Sequence, residues 1–496
     1  MQKKRLIKSR EVVEDLLKQE GMSRRDALKV MGLGGAAAMM GGAPAAAEEG
    51  GAPSSSGAKA RIVVVGAGTG GVLIAARLRR AAPKAEIIVI APNDIHLYQP
   101  GQVFMAAGLY TEADIRKPNA DLMPDGVKWI KDEVRIFDPD ANVVETAKNG
   151  KVAYDFLVVA TGVQYDYEGI EGMRADLVGT HGISSVYLSD LTKGTAKGGI
   201  ATWEWFRQLR AEAERRSEES PVTAIYTQPD TPIKCGGAPQ KILYLSDDFL
   251  RGNGPGGGSD VHRNVRALFC KKGDKLFGLP DYNRTLVEEV TPMYGNITDK
   301  WNHILRKIDP VRKIATFEHI YQVKGEYDPD LEEYDMITKT ESVEIGYDFI
   351  HIVPPMKAAD AVDRSPLGWP KGSAKGWLAC DRYTLQHMKY KNVFGIGDVL
   401  GIPLGKTGGS ARHHGPVIQE NLVAAMEGRE LPARFDGYTV CPLKTQYGKI
   451  MLAEFNYDGP APSFPLDPAK PRWIWWAFDL YMLKPMYWNL MMRGLM

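Results

Sequence analysis

Arg61-Ile62-Val63-Val64-Val65-Gly66-Ala67-Gly68-Thr69-Gly70-Gly71 decides the fold. Ile62 to Val65 is an apolar, β-branched run, the pattern of a strand buried in a parallel sheet. It passes directly into Gly66, Gly68 and Gly71, which satisfy G-x-G-x-x-G. Val72 to Arg80 then takes helical spacing, with Val72, Ile74, Ala75 and Leu78 apolar and Arg77, Arg79 and Arg80 polar. Gly66 makes the tight turn, Gly68 lets a pyrophosphate approach the backbone, and Gly71 lets the helix pack on the strand. A strand, a glycine loop and a helix in this order place a dinucleotide at the helix N-terminus.

The 496 residues suggest two or three domains, and an apolar share of 44% is ordinary for a globular chain. A net charge of +1 argues against a nucleic-acid partner, because phosphate binders carry a basic surplus. Cys235, Cys270, Cys380 and Cys441 are too scattered for a disulfide scaffold or a zinc site but suffice for one redox pair.

Residues 1–57 read as an export signal and linker. Ser23-Arg24-Arg25-Asp26-Ala27-Leu28-Lys29 is similar to a twin-arginine signal, followed by a Gly/Ala stretch and Ala45-Ala46-Ala47. This places the mature protein on the periplasmic side of the cytoplasmic membrane. A flexible arm with a chance arginine pair is the alternative. Residues 58–200 form the first part of a nucleotide-binding domain. Its second strand, Glu86 to Ala91, ends in alanine where an acidic residue normally meets the ribose; Asn93 or Asp94 can substitute, and the ribose contact stays open. Gln99 lies in a loop that can face the cofactor. The backbone at Val134 can border the nucleotide base. Thr161 and Gly162 end a buried strand in a small-residue turn that passes close to it. Together with the first loop, this turn favours FAD over NAD.

Residues 201–346 begin a second Rossmann-like unit at Val222 to Thr227. A nicotinamide-binding loop would follow that strand. Thr231-Pro232-Ile233-Lys234-Cys235-Gly236-Gly237-Ala238-Pro239-Gln240-Lys241 stands there instead, before a helix from about Pro239 to Arg251. Cys235 ahead of a helix N-terminus, between Lys234 and Lys241, has the surroundings of a reactive thiolate. Gly236 and Gly237 leave room for a flat cofactor. Cys380 is the candidate partner; Cys270 reads as core and Cys441 as structural. His413 and His414 fit a solvated helix start.

Residues 347–430 return to the nucleotide domain. Asn392 to Asp398 is a strand whose terminal carboxylate can accept a ribityl hydroxyl of FAD, or cap the next helix. Residues 431–496 end in a tail rich in Trp, Tyr and Met. It is too interrupted to span a bilayer, and two short amphipathic helices split at Pro485 would lie on a membrane surface. Packing on the protein's own core is the alternative. The expected class is α/β: two Rossmann-like domains with a C-terminal membrane-surface amphipathic tail. A homo-oligomer is left open.

The glycine loop, Tyr98-Gln99-Pro100, Ala160-Thr161-Gly162, the Lys234 to Lys241 motif, Val353-Pro354-Pro355-Met356, Gly397-Asp398, Lys406-Thr407-Gly408 and Gly437 to Leu443 together resemble the sulfide:quinone oxidoreductases. The resemblance runs from about Arg61 to the end of the chain. It implies one FAD, held by Gly66, Gly68, Gly71, Gln99, Val134, Thr161, Gly162, Asp398 and Lys406. It also implies a redox-active cysteine pair that oxidises sulfide to sulfane sulfur, with quinone as acceptor. Cys235 matches the cysteine that carries sulfur to the flavin. Some relatives place the second cysteine close after the Gly-Asp pair, but here Asp398 is followed by Val399 and Leu400. Cys380 is the substitute, by resemblance to the flavocytochrome c sulfide dehydrogenases, whose cysteine lies two residues earlier in a similar Gly-Trp stretch. The alternatives are a sulfide dehydrogenase flavoprotein serving a cytochrome, an NADH:quinone oxidoreductase, and a non-catalytic flavin or sulfur carrier.

Overall fold

A computed structural model describes residues 55–190, 194–328 and 333–496. The expected export signal, Ser23 to Lys29 included, lies outside the described residues.

The opening run is strand β1 (Arg61–Val65), and helix α1 (Thr69–Ala81) follows with Gly68 as its N-cap. Strands β2 (Glu86–Ile90), β3 (Val127–Ile130) and β4 (Phe156–Val159) come next. The second unit contains β5 (Ile183–Ser184), α2 (Lys197–Ala213), β6 (Val222–Thr227), α3 (Ala238–Leu250), β7 (Val265–Lys271) and β8 (Ile297–Trp301). An antiparallel arm of β9 (His303–Asp309), β10 (Ile314–Asp328) and β11 (Glu333–Gly346) precedes β12 (Phe349–His351). The chain then forms β13 (Val393–Gly395), α4 (Gly408–Met426), the hairpin β14 (Thr439–Gln446) and β15 (Lys449–Asn456), and the tail helices α5 (Trp473–Ala477) and α6 (Lys484–Asn489).

The first sheet has the order β13-β4-β1-β2-β3 and is parallel throughout. β1 sits at its centre, and Ile62, Val63 and Val64 are wholly buried, which is why that stretch is continuously apolar. The chain moves outward from β1 in both directions. The crevice beyond the strand ends is therefore a topological switch point, where such sheets bind ligands. The second sheet, β5-β12-β6-β7-β8, is also parallel.

β5 joins the second sheet ahead of the boundary expected at residue 200. β12 pairs with β5 and β6, so the run from Tyr347 belongs to that unit, and the return to the first sheet comes only at β13. α4 starts at Gly408, and Pro416 lies inside it.

The tail departs furthest from expectation. Residues Trp473 to Asn489 run as one helical stretch, with a π-type segment at Phe478–Leu483 carrying the chain across to α6. Trp473, Ile474, Trp475, Met486, Tyr487, Trp488 and Met492 are buried against the protein itself. Tyr487 Oη lies 2.7 Å from Thr69 Oγ1 and 2.5 Å from His96 Nε2, tying the tail to the glycine loop. Among the described residues, no helix is long and apolar enough to cross a membrane.

Candidate active site

A cavity of about 1050 Å³ fills the crevice and extends between the hairpin and the tail. The N-terminal ends of α1, α3 and α4 all border it, and none carries an acidic residue in its first turn. Their backbone N–H groups make the crevice favourable to anions. At Gly66, φ is +113°, and a Cβ would stand 2.4 Å from Ala160 O. Gly71 stays behind the loop, where a Cβ would meet Gly66 O at 1.8 Å. A Cβ at Gly68, which lines the cavity, meets nothing within 4 Å. That space and those N–H groups fit a pyrophosphate.

Gln99, Val134, Thr161, Gly162, Asp398 and Lys406 also line the cavity. Thr161 Oγ1 and Gln102 Nε2, also at the cavity wall, are buried and have no partner among the described residues, as expected of groups that serve a bound polar molecule. Asn93 reaches the cavity. Asp94 does not; it pairs with Lys131 at the surface, 2.5 Å away.

Lys406 Nζ donates to the carbonyls of Asp398 (2.5 Å) and Leu400 (2.8 Å) and lies 3.4 Å from the Trp377 ring centroid. Burial brings its pKa down to about 7, against the pull of Asp398. Burial likewise raises the Asp398 carboxyl, with Lys234 and Lys406 opposing. His414 is buried, and its Nδ1 accepts from Gly397 N at 3.1 Å. His413 stacks on Tyr438 at 4.0 Å. The expected solvated helix start is thus a packed wall.

Cys235 takes a left-handed turn, φ +51°, pinned by Cys235 N donating to Lys406 O at 2.9 Å and Ala238 N donating to Cys235 O at 2.7 Å. Cys235 Sγ lies 3.0 Å from Cys441 Sγ and accepts from Lys241 Nζ at 3.3 Å. Donation by the Cys441 thiol, helped by the Lys241 charge, outweighs burial and lowers the Cys235 pKa. Cys441, holding the shared proton, is raised. Burial disfavours the Lys241 ammonium, yet Cys235 and Cys441 hold its pKa above the ordinary value. Lys444 and Asp479 form a buried ion pair at 2.6 Å beside this group.

The structure does not bring Cys380 to Cys235. Cys380 is 2% exposed and, like Cys441, is not itself a lining residue of the cavity; it is Cys441 that meets Cys235. It packs behind β13, where its Sγ would lie 3.2 Å from a Cβ at Gly395, and burial pushes its thiol far up. Cys441 takes the place expected of it. Two signals pointed there. Thr439, Cys441 and Leu443 alternate in burial along β14, a period hidden by the loop-like Cys441-Pro442. Gly237 has an ordinary φ of −87°, so its glycine is required for space: a Cβ would meet Leu443 Cδ2 at 2.3 Å and Cys441 Sγ at 2.9 Å. The room expected for a flat cofactor at Gly237 is occupied by β14.

Comparison with known proteins bears on this geometry. A family model described as pyridine nucleotide-disulphide oxidoreductase matches residues 60–194. The mitochondrial sulfide:quinone oxidoreductase of Dictyostelium discoideum is 33% identical over 436 residues, 88% of this chain and 86% of that protein. The chain belongs to the sulfide:quinone oxidoreductase family. The Mus musculus mitochondrial member is 31% identical over 434 residues, 87% of this chain and 86% of that protein. The solved sulfide:quinone oxidoreductase of Aquifex aeolicus shares the fold, with a TM-score of 0.62 at 21% identity over 86% of this chain and 91% of that one.

The protein is therefore an oxidoreductase of a flavin-dependent family, and its glycine loop and unpartnered Thr161 and Gln102 fit such a cofactor. Both curated family members above are named as mitochondrial, which overturns the periplasmic location expected from the N-terminal segment.

Proposed function

We propose that the protein oxidises sulfide and passes the electrons through FAD to a quinone. The Cys235–Cys441 pair, whose Cys235 lines the dinucleotide cavity, carries this reading. The sulfurs stand 3.0 Å apart, about 1 Å beyond a bonded distance, so small movements close a disulfide. In the oxidised state, hydrosulfide attacks Cys441 Sγ. A bond forms between the sulfide sulfur and Cys441, the Cys235–Cys441 bond breaks, and its electron pair leaves on Cys235. The products are a Cys441 persulfide, which keeps the proton, and a Cys235 thiolate. Cys235 leaves because the lower-pKa thiol is the better leaving group, and Lys241 already stands beside it. Transfer of the outer sulfur to a second nucleophile, as sulfane sulfur, frees Cys441.

FAD, held at Gly66, Gly68, Val134, Thr161, Gly162, Gln99, Asp398 and Lys406, supplies the two-electron acceptor for the pair and the donor for quinone. Leu452, Phe464, Phe478, Leu483 and Met486 give the far lobe of the cavity apolar walls suited to a quinone. Tyr481 and Leu495, exposed on the tail at 70% and 58%, support docking at the membrane surface that holds it. The test is anaerobic turnover of the FAD-loaded enzyme with sulfide and a short-chain ubiquinone analogue, with NADH as the control donor. Sulfide-dependent quinol formation supports the reading; turnover with NADH alone refutes it.

A further inference from the structure

Tyr187 follows β5 on a segment fixed by Val186 N, which donates to His351 Nε2 at 3.1 Å. Its side chain is 4% exposed and lines the cavity, and its hydroxyl has no partner among the described residues. A buried O–H without a partner is costly unless something in the cavity accepts from it. Burial raises the phenol well above its ordinary pKa, and Cys235 and Cys441 add to that rise, so the group stays a protonated donor. Lys234 Nζ lies 5.7 Å from the Tyr187 ring centroid and 5.1 Å from that of Tyr165, and donates to Gln99 Oε1. A neutral donor thus stands on the cavity wall near Lys234, the residue that precedes Cys235, and Cys235 lines the same cavity.

We propose that the Tyr187 hydroxyl, with Lys234 Nζ beside it, receives the hydrosulfide anion at the cysteine pair by donating it a hydrogen bond. This rests on the reading of the pair as the site of sulfide oxidation. No bond is made or broken at Tyr187: its proton stays on the phenol oxygen while the sulfide sulfur attacks Cys441. The contact belongs to bound substrate more than to the later electron transfer, so its loss acts on half-saturation before it acts on the limiting rate.

The experiment is anaerobic stopped-flow mixing of FAD-loaded wild type, Tyr187→Phe and Lys234→Gln with sulfide, following flavin absorbance across sulfide concentrations. FAD content, and reoxidation of dithionite-reduced enzyme by quinone, are measured alongside. The expected result for Tyr187→Phe is half-saturation raised about tenfold, a loss of the size a hydrogen bond to an anion produces. Its limiting rate stays within about twofold, and FAD content and reoxidation are unchanged. Lys234→Gln shifts half-saturation in the same direction. Unchanged half-saturation in either variant overturns the proposal. So does loss of FAD or slowed reoxidation in Tyr187→Phe, which would assign the hydroxyl to the cofactor. Wild type that sulfide does not bleach refutes the underlying reading itself, and the proposal with it.

Discussion

Replacing Lys241 by Met removes the ammonium 3.3 Å from Cys235 Sγ while keeping an apolar stem of similar length in a buried position. A hydrogen bond to a charged group is worth about 1.5–3 kcal/mol. At 1.36 kcal/mol per pKa unit, the Cys235 pKa should rise by about 1–2 units. Lys444 does not make good the loss, because Asp479 already neutralises it at 2.6 Å. The sign is fixed by the charge: a cation favours the thiolate, so removing it shifts the titration upward. Activity at a single neutral pH is a poor readout, since a thiol starting well below neutrality remains largely ionised after such a rise. The assay is the pH dependence of Cys235 alkylation by iodoacetamide in reduced enzyme, mapped by peptide mass. A midpoint that stays in place, or moves down, refutes the assignment of Lys241 as the thiolate's partner.

Gly237→Ala should push β14 away from the Cys235 loop, because the new methyl overlaps Leu443 and Cys441. It should cost about 1–3 kcal/mol of stability, and thiol titration after oxidation should find Cys235 and Cys441 reduced for longer. Asp479→Ala leaves Lys444 buried without its counter-ion and should lower stability by about 3–5 kcal/mol in chemical denaturation, with partial recovery in the Lys444→Met double variant. Stability should also fall on mild acidification. Burial lowers His96 to about 4 and His351, His413 and His414 to about 3, below their ordinary 6.5, so the unfolded chain binds protons there that the folded protein does not. Asp247, raised to about 7, and Asp299, raised to about 6, oppose this by taking up protons in the folded state. The balance of about two protons over these groups predicts a loss of roughly 2.7 kcal/mol per unit between pH 6 and 5, to be checked by melting in that range.

The parallel sheet, the glycine loop and Cys235 were legible because each depends on local chemistry: an apolar run, a turn that only glycine permits, and a thiol before a helix. The second cysteine was not. Cys441 reaches Cys235 across 206 residues, through a hairpin whose period-2 pattern is interrupted by Pro442. Cys380 shared a sequence context with the right residue in related proteins but sits on the far side of β13. The aromatic tail carried an ambiguity inherent in composition, since Trp, Tyr and Met serve a membrane interface and a protein core equally well. Here Tyr487 and Asp479 tie one face of the tail to the protein, through partners at Thr69, His96 and Lys444 that lie far away in the chain, while Tyr481 and Leu495 stay exposed. The domain limits shifted for a similar reason: β5 and β12 are too short to be assigned to a sheet by pattern alone.

The central claim is that Cys235 and Cys441 form the redox pair. Its most direct test is flavin bleaching when oxidised, FAD-loaded enzyme is mixed anaerobically with sulfide, for wild type, Cys235→Ser, Cys441→Ser and Cys380→Ser. The account predicts rapid bleaching in wild type and Cys380→Ser, and its loss in both Cys235→Ser and Cys441→Ser. Bleaching at the wild-type rate in Cys441→Ser, or its loss in Cys380→Ser alone, would contradict it.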